Sequence, residues 1–123
     1  LQMSDLPDAW NEGMEKLLGI KPPTDREGCL QDIHWYDGAW GYFPTYTLGA
    51  MTAAQLFAKA KTEKPEILES ITKGNFKPLM SWLIMNVHSK GCSLSTKDLI
   101  TIATGEPLNA KFFKSHLQNR YLN

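Results

Sequence analysis

The chain is divided into helical lengths by its own caps, prolines and glycines. Trp10, Met14, Leu17 and Leu18 fall on one helical face, with Ser4 or Asp5 as cap, Pro7 in the first turn and Gly19 at the end, which predicts a helix over 5–18. Pro44 sets the first turn of a second helix, in which Leu48, Met51 and Phe57 are interleaved with Gly49, Ala50, Ala53 and Ala54. Small residues on several faces let neighbouring backbones approach, so burial on most sides is expected, with only Gln55 and the Lys59 to Lys64 end facing water. Further helices are predicted over 65–73, stopped by Gly74, and over about 76–90, with Leu79, Leu83 and Val87 in one row and Gly91 at its end. Ser95 as cap has Asp98 three residues on and Leu94 facing Leu99. Asn109 as cap has Leu108 facing Phe113, and the two signatures define helices near 96–104 and 110–121. The fold class that follows is all-α: a compact bundle of about six helices, with a short extended segment near 29–35.

Composition narrows the function classes. A chain of 123 residues with 42% hydrophobic and 21% charged residues is sized for one soluble domain, read here as a single helical domain over 1–123. Thirteen basic residues balance thirteen acidic ones, so no overall positive field draws in nucleic acid or an anionic membrane, and neither partner is expected. No apolar run approaches the ~20 residues of a membrane helix, and the N-terminus lacks a secretory pattern, so a cytoplasmic location is the expectation. Cys29 and Cys92 have no CxxC or CxxH spacing and read as two buried, reduced thiols. Leu1 is no initiator, and the chain opens just ahead of a helix cap, as if an upstream portion were missing.

The chemistry is concentrated between Gly28 and Tyr46. Six of the thirteen aromatic residues, Trp35, Tyr36, Trp40, Tyr42, Phe43 and Tyr46, lie within this segment, delivered by a stiff connector from Ile20 to Gly28 with adjacent prolines. If 29–35 is extended, alternation puts Asp32 and His34 on one face and Gln31, Ile33 and Trp35 on the other. A carboxylate beside an imidazole fixes the ring's tautomer and suits it to donate a hydrogen bond. The same spacing also fits a surface histidine beside a solvated aspartate. Tyr42 and Tyr46 lean the same way if the helix begins at Phe43 or before, and their hydroxyls then suit a carboxylate or an oxyanion. Two tyrosines packing a helix start explain them equally. Gly38 and Gly41 fit either a tight functional loop or a plain turn. His88 and His116 read as parts of solvated polar faces, and no HExxH, GxSxG, phosphate loop or calcium loop occurs.

Gly28-Cys-Leu-Gln31-Asp32-Ile-His34-Trp35 resembles the GxxQDxHW signature of the carboxypeptidase Taq family of thermostable zinc metallocarboxypeptidases. The continuation Gly41-Tyr-Phe-Pro-Thr-Tyr-Thr-Leu-Gly49 follows that family's pattern. The flanks Asp5 to Asn11, Leu18 to Ile20, Asp25 to Gly28 and Ala103 to Leu108 are similar to its C-terminal region. The resemblance implies an all-helical cleft peptidase that releases single amino acids from peptide C-termini with one divalent metal, zinc or another. The family's ligands come from an HExxH helix and a downstream glutamate, which have no counterpart here, so no metal residue is carried over. This chain itself is expected to bind no metal and, alone, to be inactive.

The resemblance further implies that the chain supplies the substrate wall of the enzyme. His34 is expected to contact a substrate carbonyl and Tyr46 to donate to the oxyanion, while Tyr42 helps hold the terminal carboxylate and Gln31 and Asp32 orient the site. Peptide substrates, an absent N-terminal catalytic region and a homo-oligomer are the partners it implies. The alternative is a stand-alone, catalytically dead helical module whose former substrate wall serves binding or assembly.

Overall fold

In the computed structural model, residues 2–122 are described, and the two ends of the expected domain, Leu1 and Asn123, lie outside them. Helix α1 spans Leu6–Leu18, preceded by a 3₁₀ turn at Met3–Asp5 in which the Asp5 carboxylate accepts the Gln2 backbone N–H at 2.8 Å. Helix α2 is a single turn, Ile33–Tyr36, and α3 runs Pro44–Glu63. Then come α4 at Glu66–Thr72, α5 at Lys77–Asn86, α6 at Thr96–Thr104 and α7 at Ala110–Tyr121. The all-helical expectation holds, with no strand among the described residues and one helix, α2, beyond the six predicted.

The chain divides into two compact units, one ending at Phe43 and one beginning at Pro44. In the second, Ala60, Ile67 and Trp82 form a buried centre ringed by Leu56, Phe57, Ile71, Leu79 and Leu83. The Trp82 indole N–H donates to Glu63 Oε2 at 2.7 Å, and Lys59 Nζ stands 3.1 Å from the other carboxylate oxygen. The indole's hydrogen bond, helped by Lys59, holds the Glu63 carboxyl below its ordinary value. The expected caps are present as well: Ser95 Oγ accepts from the Asp98 N–H at 3.1 Å and Asn109 Oδ1 from the Lys111 N–H at 3.0 Å.

Three sequence expectations are corrected. Gln55, read as wet, is fully buried. Its Nε2 donates to Thr104 Oγ1 at 2.8 Å and to the Glu106 and Pro107 carbonyls at 3.1 Å, and its Oε1 accepts the Asn109 N–H at 2.8 Å. A buried amide is tolerated because each polar atom is satisfied, and this one joins α3 to the turn between α6 and α7. The start of α3, expected to be covered, is exposed from Pro44 to Ala50, and nothing lies within 4 Å of where a side chain on Gly49 would begin. Cys92 is exposed and only Cys29 is buried, because Cys92 falls in the turn after α5 rather than on a helix face.

Two outcomes are expected. Gln55→Leu removes four hydrogen bonds and leaves the Asn109 N–H without its acceptor, so urea denaturation should show a loss of about 1–3 kcal/mol. Because Glu63 titrates below its ordinary range when folded, its contribution is present above that range and is lost as pH falls through the lowered value. Thermal melts should therefore show acid destabilisation that Glu63→Gln makes shallower.

Candidate functional site

The predicted extended segment 29–35 is not extended. Cys29–Gln31 forms a 3₁₀ turn and Ile33–Tyr36 a helical turn, leaving only Asp32 between them with extended backbone, φ −81° and ψ 104°. The reason is the aspartate itself. Its Oδ1 accepts the His34 backbone N–H at 2.9 Å, the geometry of a helix cap, and one capped turn is more favourable here than an unpaired strand.

The same Oδ1 lies 2.6 Å from Nδ1 of His34. Asp32 and His34 are thus brought together as expected, but by capping and not by strand alternation. The pair is largely sheltered, with 10% of the Asp32 side chain and 22% of the His34 side chain exposed. Desolvation works to raise the Asp32 carboxyl. The His34 backbone N–H, the His34 ring and the Trp35 indole outweigh it, so the group titrates below its ordinary value. An ionised carboxylate can only accept, and the proton between the two groups therefore sits on Nδ1.

Aromatic rings build the surroundings. His34 stacks on Tyr42 at 5.3 Å between centroids and lies 4.8 Å from the Phe43 ring. Trp35 meets Trp10 of α1 edge-on at 6.3 Å and Trp40 at 5.1 Å. With Asp32, Ala39 and Gly41, these side chains enclose a cavity of about 180 Å³. The chain bends around it through Gly38 and Gly41, whose φ values of 71° and 75° are closed to most other residues.

Gln31 does not line the cavity. It is exposed, and its Nε2 donates to the Arg26 carbonyl at 2.6 Å, which fixes the turn leading into the site. Tyr46 stands in the first turn of α3, in the second unit, and is 56% exposed. Because α3 begins at Pro44, Tyr42 lies ahead of the helix and the i, i+4 relation expected of the two tyrosines does not apply. Trp35, assigned by alternation to the opposite face, shares the cavity with Asp32 and His34. Trp10, Trp40 and Phe43 also line it; the periodicity of α1 had placed Trp10 on its apolar face, and the local density of rings was the one signal for the others.

Chemically, the arrangement offers an oriented imidazole on an aromatic floor. With Nδ1–H given to Asp32, Nε2 is an acceptor in the neutral ring and a donor only in the imidazolium. Among the described residues no three His, Cys, Asp or Glu side chains come together to hold a metal ion. The His34 Nδ1 and Asp32 Oδ1 atoms are engaged with each other, so the donor set does not fit a metal and no step is assigned to one bound here. ¹⁵N NMR should find the His34 ring as the Nδ1–H tautomer, and Asp32→Ala should convert it to the mixture of a free imidazole while α2 frays.

Comparison with known proteins places this site in context. Residues 1–121 match the sequence model of the carboxypeptidase Taq (M32) metallopeptidase family. The chain is 42% identical to thermostable carboxypeptidase 1 of Pyrococcus furiosus over 99% of its own length and 24% of that protein's. It is 44% identical to carboxypeptidase 1 of Bacillus subtilis, covering all of this chain and 25% of the relative. It also superposes on the solved metallocarboxypeptidase 1 of Trypanosoma cruzi with a TM-score of 0.95 at 40% identity, over 100% of this chain and 26% of that one. The chain therefore spans about a quarter of the length of the relatives it matches.

Proposed function

The chain belongs to the carboxypeptidase Taq (M32) metallopeptidase family, and from that membership we propose that it forms the substrate wall of a metal-dependent carboxypeptidase removing single residues from peptide C-termini. The observation that carries this reading is the His34 ring, held through Nδ1 by the Asp32 cap and set on the wall of an aromatic cavity. A peptide's last residues can lie on the rings of Trp35, Trp40 and Phe43 while the imidazole meets a backbone carbonyl. That contact needs a donor at Nε2, which the ring offers when both of its nitrogens carry protons.

In this reading Tyr42, stacked on His34, helps hold the substrate's terminal carboxylate, and Tyr46 donates to the oxyanion of the tetrahedral intermediate. Gln31 supports the turn through Arg26, and Asp32 orients the imidazole. The divalent metal, zinc or another, belongs to a catalytic region of family-length enzymes that this sequence does not contain, and it supplies the Lewis acid that activates water. We assign the chain to the C-terminal part of such an enzyme, working in the cytoplasm as a homo-oligomer on peptide substrates. No helix among the described residues is long and apolar enough to cross a membrane.

Exposed aromatic surface also fits the alternative, a stand-alone binding module, because Trp40, Tyr42, Phe43 and Tyr46 are each close to half exposed or more. Both readings leave the isolated chain inactive, and turnover in a family-length enzyme separates them. The purified 123-residue chain should release no C-terminal residue in a chelator-sensitive manner. In a family-length enzyme containing this segment, Tyr46→Phe should lower kcat about 10²–10³-fold. Undiminished turnover in the Tyr46→Phe enzyme removes that residue from the reaction.

A further inference from the structure

Among the described residues, two buried side-chain donors find no acceptor, Nε1 of Trp10 and Nε1 of Trp35. A buried N–H left unpaired costs free energy, and native proteins seldom keep one without a reason. The two differ in their surroundings. Trp10 lies on α1 with its ring edge-on to Trp35. Trp35 lies in the helical turn that Asp32 caps, three residues after it, and lines the same cavity as that carboxylate.

The carboxylate is half used. Oδ1 of Asp32 takes both the backbone N–H and Nδ1 of His34, and among the described residues neither of these bonds uses Oδ2. A carboxylate held at one oxygen can pivot about its Cβ–Cγ bond and carry the imidazole with it. A donor at the second oxygen removes that freedom. The Trp35 ring is itself fixed between Trp10 and Trp40, so packing alone holds its N–H in place.

We propose that Trp35 is a positioning residue whose indole N–H closes onto Oδ2 of Asp32, so that the carboxylate is gripped at both oxygens and the His34 ring keeps one plane and one tautomer. The indole already acts on the carboxylate, helping to lower its titration, while standing outside hydrogen-bond geometry. A hydrogen bond between them satisfies the orphan donor and gives the second carboxylate oxygen a partner. The arrangement also accounts for a tryptophan at this position, since phenylalanine offers the same packing face without the proton. Its consequence for turnover rests on the proposed role of His34; the grip on Asp32 does not.

The test is NMR on the ¹⁵N-labelled 123-residue chain. Asp32→Asn places an amide group where the carboxylate stood. The Trp35 indole proton should then move upfield and exchange with solvent about tenfold faster, with the Trp10 signal as the internal reference. Trp35→Phe should turn the single Nδ1–H pattern of His34 into a tautomer mixture while the helical circular dichroism is retained. A Trp35 signal that ignores Asp32→Asn, or a His34 pattern unchanged by Trp35→Phe, overturns the proposal. In a family-length enzyme, Trp35→Phe should lower kcat about tenfold with little change in KM. A grip seen by NMR beside undiminished turnover upholds the positioning of His34 and instead removes His34 from the reaction.

Discussion

One carboxylate oxygen, Oδ1 of Asp32, decides what the first unit presents. By accepting the His34 N–H it starts the turn Ile33–Tyr36, and by accepting Nδ1 it sets the imidazole. The turn in turn places Trp35 between Trp10 and Trp40 and leaves His34 against Tyr42 and Phe43. One short side chain thus performs a structural and an electrostatic task at the same atom, and neither survives without the other. The turn is also anchored from behind: the Tyr36 hydroxyl donates to the Leu30 carbonyl at 3.1 Å, and Gln31 holds the Arg26 carbonyl. The four residues Gln31, Asp32, His34 and Trp35 of the signature are therefore bound into one construction, with Gln31 fixing the approach and the rest forming the wall.

The second unit depends on a comparable device that is fully buried. Gln55 sits at zero accessibility and hands its amide to the turn between α6 and α7, where Thr104, Glu106, Pro107 and Asn109 meet it. An apolar side chain there could fill the space but could not direct the turn, because only hydrogen bonds specify which carbonyls and which N–H face α3. Around it the apolar centre is small, with Ala60, Ile67 and Trp82 at its heart. Much apolar surface is left uncovered: Leu17 of α1 is 80% exposed, Met85 of α5 70%, and the start of α3 is open. Such surface suits a chain that spans about a quarter of the length of its relatives.

Local chemistry was legible in the residues. Pro7, Pro44, Ser95, Asn109 and the glycines after α1 and α4 announced where helices begin and end, and five of the six predicted segments fall within a residue or two of the observed ones. The sixth ends early, with α5 stopping at Asn86 and a 3₁₀ turn at His88–Lys90 completing the predicted length. Two readings failed for reasons outside the local pattern. Gln55 was sorted by polarity and the segment 29–35 by alternation, yet the first was decided by partners distant in sequence and the second by a side chain folding back on its own backbone. Periodicity contains neither kind of information.

The sequence by itself determined the helical class, the sites of chain reversal and, through the Gln31-Asp32-Ile33-His34-Trp35 run with its aromatic continuation, the family and the segment that builds the aromatic cavity. These follow from short-range rules, in which a proline, a cap or a motif acts on residues a few positions away. Only the tertiary structure decided that Asp32 spends one oxygen twice, that Trp10 of α1 closes the cavity beside His34, and that Gln55 is the buried tie of the second unit. Whether a polar atom is satisfied depends on which atoms surround it in three dimensions, and that arrangement exists only once the chain has packed.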